Sequence, residues 1–201
     1  MTMRIAVAVS GRGSNLEALL RALGPEAPAR VVLVLSDRSH AAALARATEH
    51  GVQTTVLADP GDPGEWLDRL ERHRVDLVVL AGYLKLVPAA VVAKYRDRIV
   101  NIHPALLPAF GGPGMYGQRV HQAVLASGAL ESGATVHLVD EDYDRGAVLA
   151  QARVPVLPDD TPERLAERVL AAEHRLLPAV ILAAAAAGRP VSLSQPVESH
   201  P

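Results

Sequence analysis

Three side chains in this 201-residue chain have the types to act on a carbonyl group. Asn101 and His103 stand two positions apart in Ile99-Val100-Asn101-Ile102-His103-Pro104, an apolar run that reads as a short buried strand ended by its proline. Residues i and i+2 of a strand share a face, so the amide and the imidazole should project together from its C-terminal end. That edge is where open α/β sheets bind ligands. A carboxamide can donate to a developing oxyanion, and an imidazole can pass a proton near neutral pH. Asp144 comes 41 positions after His103 (144 − 103), so only the fold can bring it alongside. A carboxylate next to the ring would favour imidazolium and lift its pKa above the usual ~6.5, making an acid poised near neutrality.

The elements that must position these groups are legible from periodicity. Apolar, β-branched runs at 4–9, 31–35, 52–57, 76–81 and 98–102 read as strands. Helical spacing follows most of them: Leu16, Leu19, Leu20 and Leu23 before Gly24-Pro25, then 41–50, 65–74 and 88–95. Such alternation means βαβ units and a mainly parallel sheet. After Pro108 come a Gly111-Gly112-Pro113-Gly114 loop, a helix over 120–126, and strands at 134–139 and 148–156 flanking an acidic turn. The last strand is expected to run antiparallel to its predecessor. Thr161-Pro162 is an N-cap followed by a first-position proline, opening a helix that runs toward Ala187. The expectation is a single-domain α/β fold over 1–189 with a Rossmann-like, mainly parallel twisted sheet of about seven strands. Helices cover both faces, the C-terminal portion is antiparallel, and a polar, loose tail occupies 190–201.

Gly11-Arg12-Gly13-Ser14-Asn15 joins the first strand to the first helix. Its N–H groups and the helix N-terminus form an anion site, with Gly13 allowing close approach and Ser14 adding a hydroxyl. A dinucleotide fingerprint would have glycine where Leu16 stands, so a phosphomonoester fits better than a pyrophosphate, although Asp37 ends the second strand where a ribose-binding acid would sit.

The set Gly11-Arg12-Gly13-Ser14-Asn15, Ala81-Gly82-Tyr83-Leu84-Lys85-Leu86, Asn101-Ile102-His103-Pro104, Gly133-Ala134-Thr135-Val136-His137 and Tyr143-Asp144-Arg145-Gly146 resembles the phosphoribosylglycinamide formyltransferases, in order and up to about Pro190. The resemblance implies a metal-independent, folate-dependent one-carbon transferase of purine biosynthesis, formylating the ribotide's amine from 10-formyltetrahydrofolate through a tetrahedral intermediate. It implies that Asn101 holds the formyl oxygen, His103 is the general acid, and Asp144 raises the histidine's pKa and relays a proton. Gly13, Ser14 and Asn15 would bind the ribotide phosphate, and Glu173 would contact the ribotide. Leu84, Lys85, Leu86 and Val87 would line the folate site, partly through backbone groups, joined by Asn101, Asp144 and, at the pterin, Asp140. Two departures stand out. The family often has an arginine before the helix at 65, for the folate tail; here Asp62-Pro63-Gly64-Glu65-Trp66 offers none, leaving Arg69 or Arg72. Some members carry a basic residue where Leu170 stands, leaving the phosphate to the glycine loop and Arg12.

Several other residues also have an ordinary packing role open to them. His137 is either a core histidine or a wall of the site, and Thr135 could hold a water near Asp144. His121 reads as surface or loop packing, Trp66 and Phe110 as packing residues, and Met115-Tyr116-Gly117 as a loop able to close over the ribotide.

Composition narrows the alternatives. Apolar residues make up 49% and formal net charge is −2, which fits a sizeable core and small-molecule substrates rather than nucleic acid or an anionic membrane. There are no cysteines, and the start of the chain lacks a signal peptide's apolar core, so the expected location is cytoplasmic, with a homodimer as the assembly considered. No apolar run is expected to have the length and flanks of a membrane span, the Ala-rich stretch near Ala183 ending at Gly188-Arg189-Pro190. Two rival readings stand beside this one: a 10-formyltetrahydrofolate hydrolase using the same Asn101, His103 and Asp144, expected to carry an additional N-terminal domain, and a non-catalytic phosphosugar sensor, which would not need those three residues. A methionyl-tRNA formyltransferase would be expected to carry a C-terminal nucleic-acid-binding domain.

Overall fold

The computed structural model describes residues 2–193. In chain order the elements are β1 (Met3–Val9), α1 (Ser14–Ala22), β2 (Ala29–Ser36), α2 (Ala42–Glu49), β3 (Gln53–Val56), α3 (Pro63–Arg72), β4 (Leu77–Leu80), α4 (Ala89–Lys94), β5 (Ile99–His103), α5 (Gln118–Ala126), β6 (Glu131–Leu138), β7 (Val148–Pro155) and α6 (Pro162–Ala187). The seven strands form one sheet in the order β3-β2-β1-β4-β5-β6-β7. Pairings from β3 to β5 are parallel, and β5–β6 and β6–β7 are antiparallel. The chain leaves β1 in one direction for β2 and β3, then crosses to β4 on the other side. That reversal opens a crevice at the carboxyl ends of β1 and β4, and β5 lies beside it.

Strand alternation sorts the core into two layers. Ile5, Val7, Val9, Leu77, Val79, Val100 and Ile102 face one side, where Leu16 and Leu19 of α1, Ala43 and Ala47 of α2 and much of α6 cover them. Ala6, Ala8, Val78, Leu80 and Ile99 face the other, against Trp66 and Leu70 of α3 and Val91 and Val92 of α4. Trp66 is a packing residue as expected, fully buried with its ring edge-on to Tyr83.

Local chemistry accounts for the boundaries that differ from the sequence reading. α3 starts at Pro63 rather than at 65 because Asp62 caps it, accepting from the Gly64 N–H at 2.8 Å. β6 begins at Glu131 rather than at 134, because Gly133 lies in the ladder where a Cβ would come within 2.0 Å of the Ala152 carbonyl oxygen. α6 runs 26 residues through Pro178, capped by Thr161 and closed by Gly188 at φ 71°. Its most apolar 18-residue window has a mean hydropathy of 1.5, so a run of spanning length does exist, contrary to expectation. Leu165, Val169, Leu176, Leu177 and Ile181 of that helix are buried in the core. The expected tail is also corrected in part: the Leu193 N–H donates to the Leu149 carbonyl of β7 at 2.9 Å. The rest of it, 194–201, lies outside the described residues.

Gly133→Ala therefore forces β6 and β7 apart. We expect urea denaturation to show a loss of stability of at least ~1–3 kcal/mol, the usual scale for overpacking; an unchanged midpoint would contradict the register.

Candidate active site

A cavity of about 780 Å³ lies at the carboxyl ends of β1, β4 and β5. One end is the glycine loop. Gly13 takes φ 77°, and a Cβ there would lie 2.6 Å from that of Ala43. The residue is thus demanded by a left-handed turn packed on α2, a reason separate from any phosphate. α1 has no side-chain cap, so its first N–H groups are left for a ligand. Ser14 and Asn15 line this end with Gly13, Arg12 and Leu170. Asn15 Nδ2 donates to Glu173 Oε2 at 2.9 Å, joining α1 to α6. Glu173 is buried, and the loss of water pushes its carboxyl up to about 7, only partly opposed by Asn15.

At the other end Asn101, His103, Asp144 and His137 meet. Register explains three of them: across the β5–β6 ladder Asn101 is opposite His137 and His103 opposite Thr135. His137 Nδ1 donates to the Leu138 carbonyl at 2.8 Å, which can only accept. Its Nε2 is then free to accept from Asn101 Nδ2 at 3.0 Å, and this orients the carboxamide. Asp144 arrives from the β6–β7 turn in a left-handed conformation, φ 57°. Its Oδ2 accepts from the Gly112 N–H at 2.9 Å and lies 3.5 Å from His103 Nδ1. Its Oδ1 lies 3.5 Å from both His137 Nε2 and Asn101 Nδ2. Gly146, two residues on, lets this turn close: a Cβ there would be 1.8 Å from the Leu138 carbonyl oxygen.

The electrostatics correct one expectation. Asp144 does sit beside His103, but the ring's pKa falls below its ordinary value instead of rising. Burial is the largest cause, with the ring only 4% exposed, and nearby His137 adds to it. Asp144 and the Phe110 carbonyl, which accepts from His103 Nε2 at 2.8 Å, push the other way and do not prevail. Burial also acts to raise Asp144, but the two histidines and the Gly112 N–H outweigh it and leave the carboxyl below its usual range. Asp144 is therefore ionised at neutral pH.

Leu84, Lys85, Leu86, Val87 and Asp140 all line the cavity. The Leu84 N–H is already given to Ser10 Oγ at 2.9 Å, so it is not among the backbone groups left for a ligand. Asp140 Oδ1 accepts from the Asp142 N–H at 3.0 Å and so shapes its own turn. Thr135 is a correction. It is fully buried and absent from the wall. Its hydroxyl donates to the Ala105 carbonyl and accepts from the Leu107 N–H and Gln151 Nε2, which uses its whole capacity. It fastens the chain after His103 and cannot hold a water. Arg69 and Arg72 do not line the cavity and instead pair with Glu65 and Asp68 of α3. Asp37 also lies off the cavity wall.

His121 is the residue that sequence reasoning missed. It lies on the buried side of α5 and lines the cavity, where surface packing was expected. Its neighbours Val120 and Val124 mark that side, a signal that was available in the sequence. Met115, Tyr116 and Gly117 do line the cavity, with the Arg119 guanidinium 5.3 Å from the centre of the Tyr116 ring.

An open α/β sheet that gathers an amide, an imidazole and an ionised carboxylate at the ends of its strands is a scaffold for group transfer at a carbonyl carbon. Comparison with known proteins narrows this. Residues 3–181 match the formyl transferase family, "Formyl_trans_N". The chain is 45% identical over 186 residues to the chloroplastic phosphoribosylglycinamide formyltransferase of Arabidopsis thaliana, covering 89% of this chain and 64% of that protein. It is 38% identical to the phosphoribosylglycinamide formyltransferase of Escherichia coli strain K12, covering 89% of this chain and 85% of that one. The crystal structure of the Anaplasma phagocytophilum phosphoribosylglycinamide formyltransferase superposes with a TM-score of 0.89 at 34% identity, over the whole of both chains. The chain belongs to the formyl transferase family. It spans less than two thirds of the Arabidopsis relative's length.

Glu173 makes the stability of the fold depend on pH. A carboxyl raised in the folded state stabilises fully below the unfolded value of 4.5, and the contribution is lost as pH rises through about 7. The loss is roughly 3 kcal/mol at ~1.4 per unit. Glu173→Gln has no such dependence, so its Tm relative to the parent should climb between pH 4.5 and 8. A constant difference would contradict the buried, raised carboxyl.

Proposed function

We propose that this chain transfers the formyl group of 10-formyltetrahydrofolate to the amine of 5'-phosphoribosylglycinamide. The observation that carries the reading is the convergence of Asn101, His103 and Asp144 at one end of a cavity whose other end is the bare N-terminus of α1. The relatives named above support it. The glycine loop of Gly13, Ser14 and Asn15, with Arg12, takes the phosphate, and Glu173, tied to Asn15, contacts the ribotide. The wall from Leu84 to Val87, with Asp140, takes the folate. Both ligands are small molecules, and the chain works in the cytoplasm.

The amine attacks the formyl carbon and negative charge gathers on the formyl oxygen. The new C–N bond forms, the bond to the folate nitrogen breaks, one proton leaves the amine and one arrives at the folate nitrogen. No step calls for a metal. Asn101 Nδ2 donates to the oxyanion. His103 shifts its Nε2–H from the Phe110 carbonyl to the substrate. Its proton affinity, low in the empty site, rises as the oxyanion develops nearby. Asp144 supports the ring and receives, directly or through solvent, the proton shed by the amine, and that same proton passes on to the folate nitrogen as its bond to the formyl carbon breaks. Charge forming in a site this buried is stabilised more strongly than it would be in water.

The test is turnover of 10-formyltetrahydrofolate with and without the ribotide. Ribotide-dependent formyl transfer is the expected result. Formate release that ignores the ribotide would favour the hydrolase, and binding without turnover would favour the sensor. Asn101→Ala should lower kcat by ~10²–10³. Asp144→Asn should lower kcat sharply and move the alkaline limb of the pH–rate profile to lower pH, because Asp144 raises the proton affinity of His103. An unmoved limb would reject the role given to Asp144.

A further inference from the structure

Among the described residues, three buried side-chain atoms in the cavity wall have no hydrogen-bond partner: Asn15 Oδ1, Tyr83 Oη and His121 Nδ1. Asn15 is already tied to Glu173 through its other end. Tyr83 is fixed edge-on against Trp66. His121 differs from both, because no described residue bonds either of its ring nitrogens. It is 5% exposed on α5, with Nδ1 enclosed and only Nε2 open to the cavity. A buried polar ring without a protein partner is completed by water, an ion or a ligand, and a nitrogen at a cavity wall is placed to meet a ligand.

We propose that His121 is a specificity-determining residue: its Nε2–H donates to the carbonyl oxygen of the amide that joins the ribotide's sugar to its reacting amine. The inference rests on the function proposed above and assigns that function a further residue.

Two observations choose the tautomer and the target. A proton on Nδ1 would be enclosed with no acceptor, so the ring carries its single proton on Nε2. Burial, reinforced by the charge of His103, holds the ring neutral by pushing its pKa below the ordinary value. A neutral donor suits an amide oxygen, whereas a phosphate calls for the cation and the helix N-terminus at the glycine loop. Position agrees. His121 shares the cavity with Gly13, Asn15 and Glu173 at the sugar-phosphate end, and it lies within electrostatic reach of His103 at the reacting end. The amide is the part of the substrate between those ends. Gripping its oxygen would fix the rotation of the chain that carries the amine and aim the nitrogen at the formyl carbon.

The test compares His121→Gln, which offers an amide N–H at a similar reach, with His121→Leu, which offers none. In steady-state assays the leucine variant should raise the ribotide KM ~10-fold, the scale of one lost neutral hydrogen bond. The KM for 10-formyltetrahydrofolate should stay unchanged, and the glutamine variant should recover most of the loss. A ribotide analogue with the amide carbonyl reduced to methylene should bind the parent ~10-fold more weakly and the leucine variant no differently. Tm should not fall in the leucine variant, because no protein partner is lost. A leucine variant with the parent's ribotide KM, a loss shared equally by folate, or a glutamine variant no better than leucine would each overturn the proposal. If the parent itself shows no ribotide-dependent transfer, the underlying reading fails, and this inference falls with it.

Discussion

The carboxylate of Asp144 is the point on which this site depends. Three stretches of chain reach it. The 110–117 loop does so through the Gly112 N–H at 2.9 Å, β5 through Asn101 and His103, and β6 through His137, each side chain at 3.5 Å. The Gly112 N–H and Asn101 Nδ2 donate to this buried anion, and with either removed its charge would be expensive. Reaching that position requires a left-handed backbone at Asp144 and two glycines. Gly146 must lie against the Leu138 carbonyl, and a Cβ on Gly111 would come within 2.6 Å of Leu107 Cδ2 and 3.1 Å of Asp144 Cβ. Strain of this sort persists where surrounding structure over-determines it.

The sheet supplies the rest. Parallel strands from β3 to β5 bring the glycine loop and the Asn101-His103 pair to one edge. The antiparallel turn of β6 and β7 then returns an acid to that edge from far along the chain. Only the antiparallel step places His137 opposite Asn101 and Thr135 opposite His103, so the change of strand direction after β5 is what closes the site. Burial serves it in two senses. It strengthens every dipole aimed at the reacting carbonyl, and it holds down the proton affinity of His103 until charge appears beside it.

Much of this was legible in the sequence, because periodicity and punctuation agree there. Strand–helix alternation, Pro162 after Thr161, and Gly188 after the alanine run mark the elements found, and the order of motifs marks Asn101, His103 and Asp144. What could not be read depends on distances between elements. The balance between burial and Asp144 at His103 is set by how deeply the ring sits, and spacing carries no depth. Thr135 looks like a polar residue on a strand facing the site until the Ala105 and Leu107 backbone groups use up its hydroxyl. Gly13 looks like a phosphate glycine, but Ala43 of the next helix already demands it. His121 reads as surface or loop packing when it is taken as a residue with a helical run after it, but α5 starts at Gln118 and turns it inward with Val120 and Val124.

The account stands on His103 being a buried ring held between an ionised acid and a backbone carbonyl, and a histidine-selective ¹⁵N NMR titration of the unliganded protein tests this most directly. The predicted result is a His103 signal that titrates below ~6.5, keeps its proton on Nε2 when neutral, and moves lower still when Asp144 is replaced by asparagine. A His103 that titrates above that value, or that does not respond to the loss of Asp144, would contradict it.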